Sequence, residues 1–285
     1  MKRILLVWAL PVLGAAGLAL VLAGAAPAPP PDTADLRAGK NLIATPVFTD
    51  ADDQSLLDLF KGLRVSDVVD GMDAVGLQGV GLVATDIAPL WRDTEHYAHR
   101  IVGIAVTARY VPTNKPAAGR RSEAEYDQWA KDWYGRISPE TFTALLRKGT
   151  VMVIDGGEAG DVGSIGSNNI LAWKRNGCLG VVTNATARDT DEIAAERVPL
   201  YYKRPGRGIR PGRNELESVN RPVAIGGALV IPGDVIVADG DGVVVVPRGV
   251  AADVARYARK ILDGDKAGRR GLYRQLGMPE DDSVK

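Results

Sequence analysis

The sequence predicts a single mixed α/β domain, and three observations carry that expectation. Apolar, β-branched runs alternate with segments of helical periodicity as far as Arg188. Beyond it the pattern changes to short β runs separated by tight-turn signals. Glycine is abundant, at 33 of 285 residues, which suits a turn-rich sheet better than a helical bundle. With 46% hydrophobic and 25% charged residues the chain can bury a sizeable core. Lys+Arg and Asp+Glu both number 35, so net charge gives no reason to invoke nucleic acid. The single Cys178 excludes an intramolecular disulfide framework and any multi-cysteine zinc site.

The elements follow in order. Lys2 and Arg3 precede an almost wholly apolar run, Ile4 to Leu22, and Ala23-Gly24-Ala25 is a small-x-small site. Residues 1–25 are therefore expected to be a signal peptide that sends the domain to the periplasm or outside the cell. The alternative is an uncleaved anchor, because the run approaches the ~20 residues that span a bilayer. Residues 26–54 read as a Pro/Ala-rich linker. The domain is expected over 55–285, opening with Leu56, Leu57, Leu59, Phe60 and Leu63 at helical spacing. Ser66 is placed as the cap of a second helix through Val68, Val69 and Met72. Ile101 to Val111 alternates as a strand. Ser138-Pro139-Glu140 has the form of a helix start, leading to Phe142, Leu145 and Leu146. Val151 to Ile154 is a buried strand, followed by a helix near Asn169 to Asn176 and a strand over Gly180 to Thr183. Val223–Val230, Val235–Ala238 and Val243–Val246 form the hairpin region, and an amphipathic helix near Val250 to Leu262 closes the domain.

The segment from Gly166 to Glu192 concentrates the chemistry. A glycine-rich turn opens a helix, and a strand then leads to Arg188-Asp189. That layout sets backbone donors, a guanidinium and a carboxylate on loops at one end of a sheet, as a small carboxylate beside a divalent cation requires. Taken alone, Arg188-Asp189 is more often a surface ion pair or a turn than a site, and it is the matching context that turns it into a candidate site. The glycines at 156, 157, 160, 163 and 166 contain neither nucleotide-loop spacing, so both such motifs are rejected. His96 and His99 follow Glu95 and are expected to be solvent-exposed rather than a metal pair. Tyr126, Trp129 and Trp133 predict an amphipathic helix within an insertion at about 113–137. The basic run Arg204 to Arg213 is expected to be a mobile cationic loop, and Cys178 a buried small residue.

The order G-x-x-x-I-L-A, N-G-x-x-G-V-V, A-x-A-R-D-x-x-E, followed by PVAIGGALVIPGDVIVADGDGVVVVP, resembles the regulator-of-ribonuclease-activity-A family. That family includes metal-dependent 4-hydroxy-4-methyl-2-oxoglutarate aldolases and oxaloacetate decarboxylases. The resemblance spans roughly residues 56–278. It implies an α/β/β domain of swivelling type, assembled into homotrimers or hexamers with sites near subunit interfaces. Carried over by position, it implies Mg²⁺ or another divalent cation such as Mn²⁺ on Asp189, and Arg188 on the substrate's oxygens. The backbone of Gly166, Ser167, Asn168 and Asn169 would then hold the carboxylate of a short 2-oxo acid, with Glu192 and Asp161 acting through metal-bound water. The implied reaction is retro-aldol cleavage or decarboxylation, whose enolate needs a Lewis acid and a fixed cation.

This chain departs from the pattern at two places. Family aldolases usually carry Gly-Glu-Leu-Leu where Gly166-Ser167-Asn168-Asn169 stands, and Asp-Gly where Asn184-Ala185 stands. Two negative charges are missing, which favours either a more anionic substrate or a non-catalytic binding and assembly role. An exported protein would not meet a cytoplasmic ribonuclease. The methyltransferase label sometimes attached to such sequences lacks its glycine-rich cofactor loop here.

Overall fold

The computed structural model describes residues 33–116, 119–157 and 160–285. The signal-peptide expectation for residues 1–25 and the first part of the linker lie outside the described residues. Among the described residues no helix is long and apolar enough to cross a membrane. The described part of the first unit, which ends at Leu42, holds a short helix, α1 (Thr33–Ala38). The remaining unit, Ile43–Lys285, contains everything that follows.

Helix α2 (Asp50–Phe60) starts upstream of Ser55, because its cap lies there. The Thr49 hydroxyl accepts the Asp52 N–H, and the Asp52 carboxylate accepts the Thr49 N–H at 3.1 Å, a reciprocal box. Helix α3 (Val65–Ala74) is not capped by Ser66. Its first N–H, on Val65, is taken by Asp239 Oδ2 at 2.9 Å, from the Asp239-Gly240-Asp241-Gly242 turn. A short β1 (Ala88–Pro89) precedes the long β2 (Ile101–Pro112), then α4 (Glu123–Arg136) and β3 (Thr150–Asp155). The site elements come next: β4 (Gly163–Ile165), α5 (Ser167–Arg175), β5 (Cys178–Thr183), β6 (Thr186–Ala187) and α6 (Thr190–Ala195). They are followed by β7 (Leu200–Tyr202), β8 (Arg204–Pro205), β9 (Asn214–Val219), β10 (Val223–Ile225) and β11 (Ala228–Val230). β12 (Val235–Asp239), β13 (Gly242–Val246) and α7 (Ala251–Leu276) complete the domain.

The main sheet has 8 strands in the order β1-β7-β5-β3-β2-β12-β13, with β9 pairing the far half of β2. β2, β3, β5 and β7 are parallel, and the other pairings are antiparallel. Helix α5 crosses from β3 to β5, and α6 from β5 to β7. Gly81–Val83 covers the β13 edge while Ala88–Pro89 covers the β7 edge, so one stretch of chain seals both sides of a nearly closed sheet. One face is packed by α2, α3 and α7, through Phe60, Val68, Met72, Val254 and Ala258. The same face, further along the sheet, receives α5, α6 and the 142–146 turn, through Phe142, Trp173, Ile170 and Ile193. The opposite face carries a third cluster under the β10–β11 hairpin, around Val151, Val182 and Tyr201.

Four further sequence expectations are corrected. Ser138-Pro139-Glu140 does not begin an α-helix; only a 3₁₀ turn, Thr141–Leu145, forms. Phe142 and Leu146 are buried but Leu145 is exposed, so the apolar residues never make a helical stripe. The terminal helix runs past Leu262 to Leu276, and the last residues fold back on it, with Val284 buried and its carbonyl bound by Arg270 Nε at 2.9 Å. His99 is buried, not exposed: Nδ1 accepts the Asp93 N–H at 3.1 Å, while His96 does face solvent. Finally, the Arg204–Arg213 segment is pinned rather than loose, since Arg210 is 4% exposed and Arg207 is bound to Asp161. The 113–137 segment contains the expected helix, α4, with Trp133 buried and its indole donating to the Asn214 carbonyl at 3.0 Å.

Candidate functional site

A small parallel sheet, β4-β6-β8, builds the site. Gly163 pairs with Thr186 and Ile165 with Ala187, so both strands end side by side. The Arg188 N–H closes that end on the Ile165 carbonyl at 2.8 Å. Gly166 then caps α5, and Asp189 starts α6 in the left-handed region, at φ 54 and ψ 41. An aspartate tolerates that conformation better than most residues, but it is held there only by its surroundings.

Two glycines are dictated by close approach. A Cβ on Gly163 would lie 2.6 Å from the Arg188 Cβ, and one on Gly166 would lie 2.6 Å from Asp189 Oδ2. The glycine-rich turn thus lets the Arg188 and Asp189 side chains lie flat against it. Asp189 Oδ2 accepts the Ser167 N–H at 3.2 Å, and Arg188 Nε stands 3.7 Å from Asp189 Oδ1. Both side chains remain more than a third exposed, at 38% and 36%.

The start of α5 has four N–H groups without intrahelical acceptors. Asn169 Oδ1 takes that of Gly166 at 3.3 Å, and Asp189 takes that of Ser167. The Asn168 and Asn169 N–H groups remain as helix-start donors for an anion. Two of these four N–H groups are therefore committed to the protein's own side chains. Asn169 and Ser167 consequently shape the cradle as well as form it.

The other expected residues sit differently. Asp161 is bound by Arg207, through its N–H at 2.8 Å and Nε at 2.6 Å, and that partner holds its carboxyl below the usual range. Glu192 lies exposed in the first turn of α6. Among the described residues no three His, Cys, Asp or Glu side chains cluster to hold a metal, so Asp161 and Glu192 do not build a three-acid site with Asp189. What remains is one half-exposed carboxylate. That suits a cation which keeps most of its waters, as Mg²⁺ does, and not a closed nitrogen- or sulfur-rich centre.

Asn184 is a structural knot at the strand ends. Its Oδ1 accepts the Gly156 N–H at 2.8 Å, and its Nδ2 donates to Asp155 Oδ1 at 2.8 Å and to the Ala224 carbonyl at 3.2 Å. Ala185 fills the space above Gly156, where an added Cβ would stand 2.3 Å from its own. The cleft beside them, lined by Gly156, Gly160, Ser164, Asn184 and Arg204, has a volume of about 10 Å³, room for no more than about one water.

Sequence reasoning missed the residues beneath the site. Glu140 accepts from Asn169 Nδ2 at 2.6 Å, Trp173 Nε1 at 2.9 Å and Arg210 Nη2 at 2.5 Å. Arg210 also donates to the Tyr110 hydroxyl at 2.7 Å and lies 5.0 Å from the Tyr134 ring centroid. Burial opposes the Arg210 charge, yet Tyr110, Glu140 and Tyr134 together hold its pKa above the ordinary value. Burial pushes Tyr110 up to about 12. No local spacing announces this group, because Glu140 and Arg210 are 70 residues apart.

Comparison with known proteins gives a consistent family. The RraA-like family, described as Aldolase/RraA, matches residues 65–245. Protein DlpA of Legionella pneumophila is 27% identical over 68% of this chain, which spans only 28% of that protein. A protein of Halalkalibacterium halodurans, provisionally assigned as a 4-hydroxy-4-methyl-2-oxoglutarate aldolase, is 32% identical over 44% of this chain and 59% of its own length. Among solved structures, an uncharacterized protein from Pseudomonas syringae pv. tomato superposes with TM-score 0.58 and 27% identity, over 83% of this chain and 97% of that one. Streptomyces coelicolor RraAS2, described as an unusual member of the RNase ES inhibitor RraA protein family, gives TM-score 0.60 at 21% identity, over 79% of this chain and 99% of that one. At that identity the second likeness speaks for the fold alone.

Proposed function

The chain belongs to the RraA-like, Aldolase/RraA family, and from that premise we propose that it is a divalent-metal-dependent carbon–carbon lyase acting on a short 2-oxo acid. The observation that carries this reading is Asp189, strained, half-exposed and oriented by the Ser167 N–H beside Arg188. In this reading Asp189 holds Mg²⁺ or Mn²⁺, which supplies Lewis acidity toward the keto oxygen when bound. Arg188 offers a planar fork to the substrate carboxylate or to the enolate oxygen that develops as the C–C bond breaks. The Asn168 and Asn169 N–H groups hold the carboxylate at the positive end of α5. Retro-aldol cleavage of a 4-hydroxy-4-methyl-2-oxoglutarate-type acid and decarboxylation of oxaloacetate both release pyruvate and place the same demands on these groups.

The exposure of both side chains favours assembly, as a trimer or hexamer in which a second copy walls the site. The Lys2-Arg3 and Ile4–Leu22 pattern supports a periplasmic or secreted protein, with membrane anchoring through that segment as the alternative. A second reading has its own observation. Asp189 occupies one of the cradle's donors itself, which suits a non-catalytic scaffold of the same fold. Pyruvate release from both acids, measured with Mg²⁺ and after chelation, separates the two. The lyase gives turnover that chelation abolishes and added Mg²⁺ restores. A folded protein with no turnover on either acid refutes the lyase reading.

A further inference from the structure

We propose that Glu140 is a positioning residue of the site, which locks the Asn169 amide and through it sets the turn on which Asp189 rests. The Asn169 side chain has an acceptor end and a donor end. Its Oδ1 faces the Gly166 N–H at 3.3 Å, and its Nδ2 faces Glu140 Oε1 at 2.6 Å. Turning the amide over would oppose donor to donor at Gly166 and oxygen to carboxylate at Glu140. A charged partner makes that second clash costly, so the carboxylate permits one orientation only.

Glu140 is itself fixed from two sides. Its other oxygen accepts from Trp173, one helical turn beyond Asn169, so the carboxylate grips the first two turns of α5. Behind it, Arg210 is 4% exposed and bonded to Tyr110 of β2, in the main sheet. Tyr134 of the inserted helix α4 covers the same guanidinium. The path therefore runs from the rigid sheet, through Arg210 and Glu140, to the first N–H of the turn. The Asp189 carboxylate lies close over this turn, since a Cβ on Gly166 would meet its Oδ2 at 2.6 Å. A turn packed this closely moves with the amide that caps it. The consequence for metal affinity rests on the reading of Asp189 given above; the mechanical link from Glu140 to Gly166 does not.

The test is amide hydrogen exchange by NMR on the full chain, comparing wild type with Glu140→Gln and Asn169→Leu, alongside Mn²⁺ titration. Asn169→Leu removes the link while leaving Glu140 with Arg210 and Trp173. Exchange at Gly166 and Ser167 is expected to accelerate at least about tenfold in both variants, with Met152 and Val182 in β3 and β5 unchanged. Mn²⁺ affinity is expected to fall several-fold in the same variants. Wild-type exchange at Gly166 and Ser167 in Asn169→Leu overturns the proposal. So does acceleration in Glu140→Gln that is as large in β3 and β5 as in the turn. Absence of Mn²⁺ binding to wild type counts against the lyase reading, and the exchange rates still decide the role of Glu140.

Discussion

Asp53 and Glu140 are both tied to guanidinium groups, and they do different work. Asp53 is held by Arg147 and by Arg248 Nη1, the latter at 2.6 Å. Arg248 continues to the Gly233 carbonyl at 3.1 Å and stacks on Phe48, while Arg147 continues to the exposed Asp50. Every contact Asp53 accepts comes from a cation, and the paths end in backbone or solvent. The result is a clamp between α2, the 147 turn and the residues before α7. Glu140 has one cation and two neutral donors, and one of those donors has a second end at Gly166. A neutral amide transmits orientation, whereas a guanidinium fan mainly joins elements. The difference separates a device for stability from one for placement.

The largest expected effect tests the clamp. Asp53→Ala leaves Arg147 and Arg248 without their buried partner and should cost about 3 kcal/mol in urea unfolding. Exchange at Gly166 and metal binding should be unchanged, and a loss of either would erase the distinction between the two regions. Arg188→Lys should reverse that profile. Lysine cannot reproduce the fork, so turnover in the pyruvate assay should drop about 100-fold, with stability within about 0.5 kcal/mol of wild type. Wild-type kinetics in that variant would make Arg188 a structural residue.

A smaller effect lies in the insertion. Trp133→Phe removes the indole bond to Asn214 and should cost about 1 kcal/mol, again in urea unfolding. If it also accelerates Gly166 exchange, the insertion contributes to placement and not only to packing. The smallest effect is at His99. Burial, reinforced by the Arg100 charge, lowers its pKa below the ordinary value, against the opposing pull of Asp239 and Asp93. The unfolded chain therefore binds the proton more readily, and stability is full above the unfolded pKa of about 6.5 and falls as pH drops through the folded value. His99→Gln should flatten thermal stability over that acidic range.

Much of this was legible in the residues. The strand and helix order, the Gly166 turn and the placement of Arg188 beside Asp189 follow from periodicity, turn chemistry and motif order. Their geometry is local: β4 and β6 pair, and the next residues of each strand meet. The illegible part depends on contacts far apart in sequence. Glu140 read as a first-turn acid and Arg210 as part of a loose basic loop, because each has an ordinary local role and only the fold joins them. His99 failed for a different reason: its partner, the Asp93 N–H, is only six residues away but donates to it only in the folded turn. Asp239 as the cap of α3 lies equally outside any local pattern.

The proposed reading makes Asp189 the cation-holding residue of a site placed by the Gly166 turn. Mn²⁺ binding, followed by electron paramagnetic resonance, tests it most directly in wild type, Asp53→Ala and Asp189→Ala. The account predicts one ion per chain in the first two proteins and none in the third. Undiminished binding in Asp189→Ala, or no binding in wild type, would contradict it.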